Sequence, residues 1–178
     1  MIKGIIINHK TKFIPELKKF FSNLKVEVDI ISYENFKEEL IEPYDLIILS
    51  GGPINISGKN DLFEEKKFLK TTNKPILGIC LGFQIISIIY GAKLKKLSKK
   101  IYGPENIKIW GSDFEVFQSH TYYIDSISNE FRVLSKNGKI IEIIEHKNKP
   151  IFALQSHPEL SGKEGLKITK YFIDKYFN

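Results

Sequence analysis

The frame Gly78-Ile79-Cys80-Leu81-Gly82 constrains this chain more than any other stretch. It joins the apolar run 75–79 to the amphipathic run 85–90, and Cys80 is the only cysteine. A short apolar run bounded by turn residues reads as a buried strand, and the run after it as a helix that Gly91 closes. Strand, sharp turn and helix then crowd together around one residue. Glycines two before and two after the cysteine remove the Cβ atoms that would clash there, which makes the frame a thiol form of the nucleophile elbow. A thiol at a helix N-terminus also feels the positive end of the helix dipole, which favours thiolate. A lone intracellular cysteine is commonly a small buried hydrophobe; the flanking glycines favour chemistry.

A base for that thiol lies far along the chain, in Gln155-Ser156-His157-Pro158-Glu159. The segment 149–154 reads as another buried strand, so His157 and Glu159 fall just past its carboxyl end. In open α/β sheets the carboxyl ends of the strands form the ligand crevice, so Cys80 and His157 can meet across half the chain. Imidazole titrates in the range needed to take the thiol proton and return one to a leaving group. Glu159 can orient the ring, and Pro158 between them fixes its own φ. Alone, His-Pro-Glu is a strand end and an exposed turn; beside the cysteine elbow it reads as catalytic.

Ser50-Gly51-Gly52-Pro53 directly follows the strand-like stretch Asp45-Leu-Ile-Ile-Leu49. Taken singly it is a turn. Two glycines after a strand leave backbone N–H groups free to face a ligand, and attack on an amide carbonyl creates an oxyanion that needs two such donors. Gly52 and Leu81 are assigned to that role. The stretch from Gly52 to Lys59 is not a phosphate-binding loop, because five residues separate its glycines and Asn60 replaces the required Ser or Thr.

Along the chain, strands are predicted over 2–7, 26–32, 45–49, 75–79, 107–110, 115–118, 131–135, 139–146 and 151–155. Helices are predicted over 11–24, 33–41, 61–71 with Asp61 as N-cap, 85–90 and 163–176. Alternation followed by strands implies an α/β fold: a mostly parallel sheet, helices on both faces and an antiparallel extension. Length suits one domain, 1–178.

Ser-Gly-Gly-Pro, Gly-Ile-Cys-Leu-Gly-x-Gln and Gln-x-His-Pro-Glu, in this order and spacing, resemble the class I glutamine amidotransferases, whose fold is flavodoxin-like. The resemblance covers nearly the whole chain. It implies a triad of Cys80, His157 and Glu159 that hydrolyses the side-chain amide of glutamine. Gly51 and Gln84 would help hold the substrate, and Ser119-His120-Thr121-Tyr122 would grip its amino-acid end. Tyr102-Gly103, Ser119-His120 and the stretch 146–150 are similar to the separate glutaminase subunits of GMP synthases. That likeness implies an ATP pyrophosphatase partner that uses ATP and Mg, adenylates xanthosine monophosphate and receives ammonia. The chain departs from it at Tyr122, at Ser156, at the first-strand end Ile7-Asn8-His9-Lys10 (where Asp-Asn-Gly-Gly is usual) and in the short stretch 160–165, where the His-Thr pair usual after His-Pro-Glu is missing.

Charge and composition narrow the rest. The net charge of +6 suggests nucleic acid, yet among 27 Lys plus Arg only Arg132 is the planar reader of phosphate and guanine. The patch 93–100 reads as a solvated edge or lid, with docking to an acidic partner as the minority view. No nucleic-acid or membrane partner is expected, since no apolar run approaches the ~18 residues of a membrane helix. One cysteine points to a reducing compartment, hence the cytoplasm. His9 could line the crevice or sit in a surface loop, His120 could act on substrate or bond a backbone carbonyl, and His146 reads as structural. No Cys and His set has metal-ligand spacing, so neither a metal nor a cofactor is expected in this chain. Rival readings are an amidotransferase subunit for anthranilate or aminodeoxychorismate synthesis, a γ-glutamyl hydrolase or peptidase, and a non-catalytic regulatory homologue.

Overall fold

The computed structural model describes residues 1–54, 56 and 62–177. Lys59, Asn60 and the expected N-cap Asp61 lie outside them. In chain order the elements begin β1 (Ile2–Asn8), α1 (Ile14–Asn23), β2 (Val26–Ser32), α2 (Glu38–Ile41) and β3 (Leu46–Leu49). They continue with α3 (Phe63–Thr71), β4 (Ile76–Ile79), α4 (Leu81–Ile89), β5 (Lys95–Ile109) and β6 (Ser112–Tyr123). The last are β7 (Phe131–Asn137), β8 (Ile140–His146), β9 (Ile151–Leu154) and α5 (Gly162–Phe177).

Among the described residues, seven strands form one sheet in the order β2-β1-β3-β4-β9-β8-β7. The first five run parallel, while β8 and β7 are antiparallel additions at one end. Strands β3, β4 and β9 are apolar at every position because both faces are covered. Ile5, Ile7, Ile47, Leu49 and Ile76 pack with Ile41 of α2, Leu69 of α3 and Phe83 of α4. The alternate residues Ile6, Leu46, Ile48 and Leu77 face Leu17 and Phe21 of α1 and Ile168 and Phe172 of α5. A ten-residue helix such as α1 is marginal by itself. Each fully buried Leu or Phe contributes roughly 2 kcal/mol of transfer free energy, so packing and not propensity holds α1 in place.

Three expectations change. The region 33–41 is a 3-10 turn, Tyr33–Asn35, followed by the single turn α2, because Phe36 and Lys37 adopt extended backbone between them. Helix α1 starts at Ile14 and not at residue 11, since the Asn8 side chain accepts from Thr11 N–H and Thr11 Oγ1 accepts from Phe13 N–H. These side chains serve backbone donors outside the helix. The short strands expected over 107–110 and 115–118 fall within a long separate hairpin, β5 and β6. It turns through Trp110 and Gly111, both at positive φ (51° and 79°), as in a type I′ turn. The exposed patch 93–100 lies partly in the first half of β5.

Glycine at 82 is obligatory. A Cβ there would lie 2.4 Å from the Leu49 carbonyl oxygen and 2.6 Å from the Leu49 Cβ, both on a rigid core strand. At Gly138 the hairpin φ is +57° and nothing lies within 4 Å of the added atom, so only backbone strain opposes a side chain. Gly82→Ala should therefore cost about 3 kcal/mol or more in urea unfolding, against about 1 kcal/mol for Gly138→Ala. Equal losses would contradict the packing account.

Candidate active site

Cys80 sits between β4 and α4 with φ 51° and ψ −98°, a left-handed conformation for a residue that carries a Cβ. Such strain, of order 1–3 kcal/mol, persists only where the surroundings over-determine it. Here the Cys80 N–H donates to the Leu154 carbonyl of β9 (2.9 Å), and Gly82 N–H donates to the Ser50 carbonyl beyond β3 (3.2 Å). The flanking glycines permit this closeness: a Cβ at Gly78 would meet Ile86 Cδ1 at 2.6 Å and the Gly82 carbonyl carbon at 2.9 Å.

His157 follows β9 and is tied to the hairpin by its N–H, which donates to the Phe117 carbonyl (2.8 Å). Ser161 Oγ donates to the His157 carbonyl (2.6 Å) and accepts from Phe117 N–H (2.9 Å). The imidazole Nδ1 lies 2.8 Å from Glu159 Oε1, and Cys80 is near enough to favour the charged ring. Phe13 packs edge-on against the ring at 5.3 Å. Burial opposes the charged imidazole, but the hydrogen bonds and charges of Cys80 and Glu159 together overcome it and raise the His157 pKa to about 10. Glu159 Oε2 is buried with no partner among the described residues.

The Ser50–Gly52 loop is shaped by its neighbours. A Cβ at Gly52 would fall 1.8 Å from the His9 carbonyl oxygen, and one at Gly51 would fall 2.9 Å from His157 Cε1. Gly51 thus lies against the imidazole and is not on the cavity wall, whereas Gly52 and Leu81 both line the cavity. His9 neither lines the crevice nor sits in a surface loop. It is fully buried, its Nε2 3.0 Å from Glu65 Oε1, and its N–H donates to Ser50 Oγ (2.9 Å).

The cavity has a volume of about 490 Å³. Cys80, His157, Gln84 and the run Ser119, His120, Thr121, Tyr122 all border it. Lys10, Lys12 and Lys100 stand on its wall, and no Asp or Glu does among the described residues. That charge balance suits a ligand with a carboxylate. His120 Nδ1 lies 2.8 Å from the Tyr122 carbonyl, the backbone contact left open from sequence. Burial lowers the His120 pKa, the Tyr122 bond offsets this in part, and the nearby His157 adds to the lowering. The hairpin that carries this run is fastened to β8 by Gln118 Nε2 donating to Glu142 Oε2 (2.7 Å). Sequence reasoning missed Gln155, Phe13 and Lys100. Gln155 stood in the His-Pro-Glu frame, while the other two carry no local signal.

No described helix is long and apolar enough to cross a membrane. The family model for class-I glutamine amidotransferases matches residues 5–175. The glutamine-hydrolyzing GMP synthase subunit of Methanococcus maripaludis is 33% identical over 184 residues, spanning 96% of this chain and 95% of its own. The GMP synthase of Brachyspira hyodysenteriae is 34% identical over 174 residues, 92% of this chain but 32% of that protein. A crystal structure of a candidate GMP synthase subunit from Thermoplasma acidophilum superposes with a TM-score of 0.88 at 25% identity, covering 98% of this chain and 93% of the other. On the family match, the relatives and the shared fold, this chain belongs to the class I glutamine amidotransferases.

Proposed function

We propose that residues 1–178 form one glutaminase domain that hydrolyses the side-chain amide of glutamine and hands the ammonia to a separate synthase subunit in the cytoplasm. The observation that carries this reading is a strained cysteine at a helix N-terminus that shares a cavity with an imidazole whose Nδ1 is 2.8 Å from a buried carboxylate. Cys80 Sγ attacks the amide carbon, and the oxyanion is held by the N–H groups of Gly52 and Leu81. His157 gives its proton to the departing nitrogen, which leaves as ammonia, and a γ-glutamyl thioester remains. Water then loses a proton to His157, adds to the thioester and releases glutamate, restoring the thiolate and imidazolium. Gln84 helps hold the substrate and the Ser119–Tyr122 run grips its amino-acid end, with the wall lysines favouring its carboxylate.

Free ammonia needs an acceptor, which supports a partner that activates one. Relatives named as glutamine-hydrolyzing GMP synthase subunits, and a longer GMP synthase of which this region is about a third, favour xanthosine monophosphate as that acceptor. ATP and Mg then belong to the partner.

Glutamate release from glutamine, with and without an ATP pyrophosphatase subunit, xanthosine monophosphate, ATP and Mg, tests the proposal. Cys80→Ala should lower release by about 10³-fold or more while the thermal midpoint stays near wild type. Undiminished release in that variant refutes the reading. A rise on adding the partner assigns the pathway, and none with this partner but one with an anthranilate synthase subunit reassigns it.

The His157 shift also sets a pH dependence. A group whose folded pKa is raised contributes stability that is fully present below its unfolded value, about 6.5, and lost as pH rises through about 10. The stability difference between wild type and Glu159→Gln, from urea unfolding, should therefore shrink steadily between about pH 7 and pH 10. A difference that grows with pH would contradict the imidazolium assignment.

A further inference from the structure

A line of side-chain amides runs from the hairpin to the nucleophile. Gln84 Nε2 lies 3.1 Å from the Tyr122 carbonyl oxygen and 3.1 Å from Gln155 Oε1. Gln155 Nε2 lies 3.6 Å from Cys80 Sγ, within hydrogen-bond reach of sulfur. The direction of the line follows from donor and acceptor chemistry. A backbone carbonyl only accepts, so Gln84 must offer Tyr122 its NH₂. The same NH₂ faces Gln155, which must answer with its carbonyl oxygen. Only the Gln155 NH₂ is left to face the sulfur. Turning either amide over would set acceptor against acceptor or donor against donor, in a site where both glutamines are buried. His120 Nδ1 also donates to the Tyr122 carbonyl, at 2.8 Å, and holds that oxygen in place.

Two polar groups therefore compete for the Cys80 sulfur. The Ser119 carbonyl, 3.7 Å away, accepts from a thiol and repels a thiolate. The Gln155 N–H does the opposite. Hydrogen bonds to a charged group are roughly twice as strong as neutral ones, and stronger still away from water. We infer that Gln155 is a positioning residue for the nucleophile: its N–H, aimed by Gln84 and the Tyr122 carbonyl, offsets Ser119 and holds Cys80 as thiolate facing His157. Because Tyr122 belongs to the hairpin run that borders the cavity, this line also gives the hairpin a grip on the sulfur. The inference rests on the reading of Cys80 as nucleophile.

Iodoacetamide alkylation tests it without glutamine, and Cys80 as the only cysteine makes the signal unambiguous. Alkylation rates would be followed by mass spectrometry across pH in wild type, Gln155→Leu and Gln84→Leu, with glutamate release in parallel. Gln155→Leu should slow alkylation at neutral pH about tenfold and move its pH midpoint up by about one unit. It should lower kcat while leaving KM for glutamine within about twofold. Gln84→Leu should shift the midpoint in the same direction by less, and it decides the matter if Gln155→Leu does not fold. An unmoved midpoint in the folded variants overturns the inference. A shifted midpoint in a chain whose wild type releases no glutamate upholds it and sinks the glutaminase reading instead.

Discussion

The close approach of α4 to the ends of β3 and β4 is the contact on which the site depends. Leu49 occupies the space a side chain at position 82 would need, and Ile86 the space one at position 78 would need. With both positions open, the chain can turn from strand to helix at once, and Cys80 is left at φ 51° with its sulfur at the head of the helix. A longer or looser connection would relieve the strain but withdraw the sulfur from His157. The glycines are thus spacers, and the cysteine carries the cost of their arrangement in its backbone.

Around that turn the structure gathers buried polar groups from remote segments. Glu159 and Cys80 keep His157 charged against the penalty of burial, because two partners of favourable charge outweigh the desolvation of one ring. His120, only partly compensated by a backbone carbonyl, goes the other way. Two histidines facing one cavity are therefore driven to opposite protonation states by what surrounds them. The pair His9 and Glu65 lies one layer below, under the Gly51–Gly52 loop, where the His9 carbonyl dictates that position 52 carry no side chain.

The hairpin of β5 and β6 is a second sheet docked on the first. Its inner face, with Ile107, Ile109, Phe114 and Val116, joins the core shared with α1 and α5. Phe117 bridges to His157, and Gln118 reaches the buried Glu142, whose pKa burial raises to about 7 against the pull of the Gln118 bond. These ties make the hairpin a wall of the cavity and also a support for the imidazole.

Local pattern was enough to read most of the architecture. Continuous apolar runs at 46–49, 75–79 and 151–154 mark buried parallel strands, because only a sheet covered on both faces needs no polar positions. The elbow glycines and the His-Pro-Glu turn announced themselves for a similar reason: their backbone requirements are written in residue type. What lay beyond the sequence were effects of distance. The length of β5 was hidden because an exposed, lysine-rich strand has no burial pattern until its partner β6 is in place. His9 looked like a loop residue until Glu65 closed over it. Gln155 gains its meaning only when Gln84 and Cys80, from another part of the chain, come within hydrogen-bond reach. Residue types and short spacings thus determined the strands, the turn and the candidate reacting groups by themselves. Which groups face one another, and with what charge, was decided by the tertiary structure, since burial and partner distance exist only once the sheet and hairpin have packed.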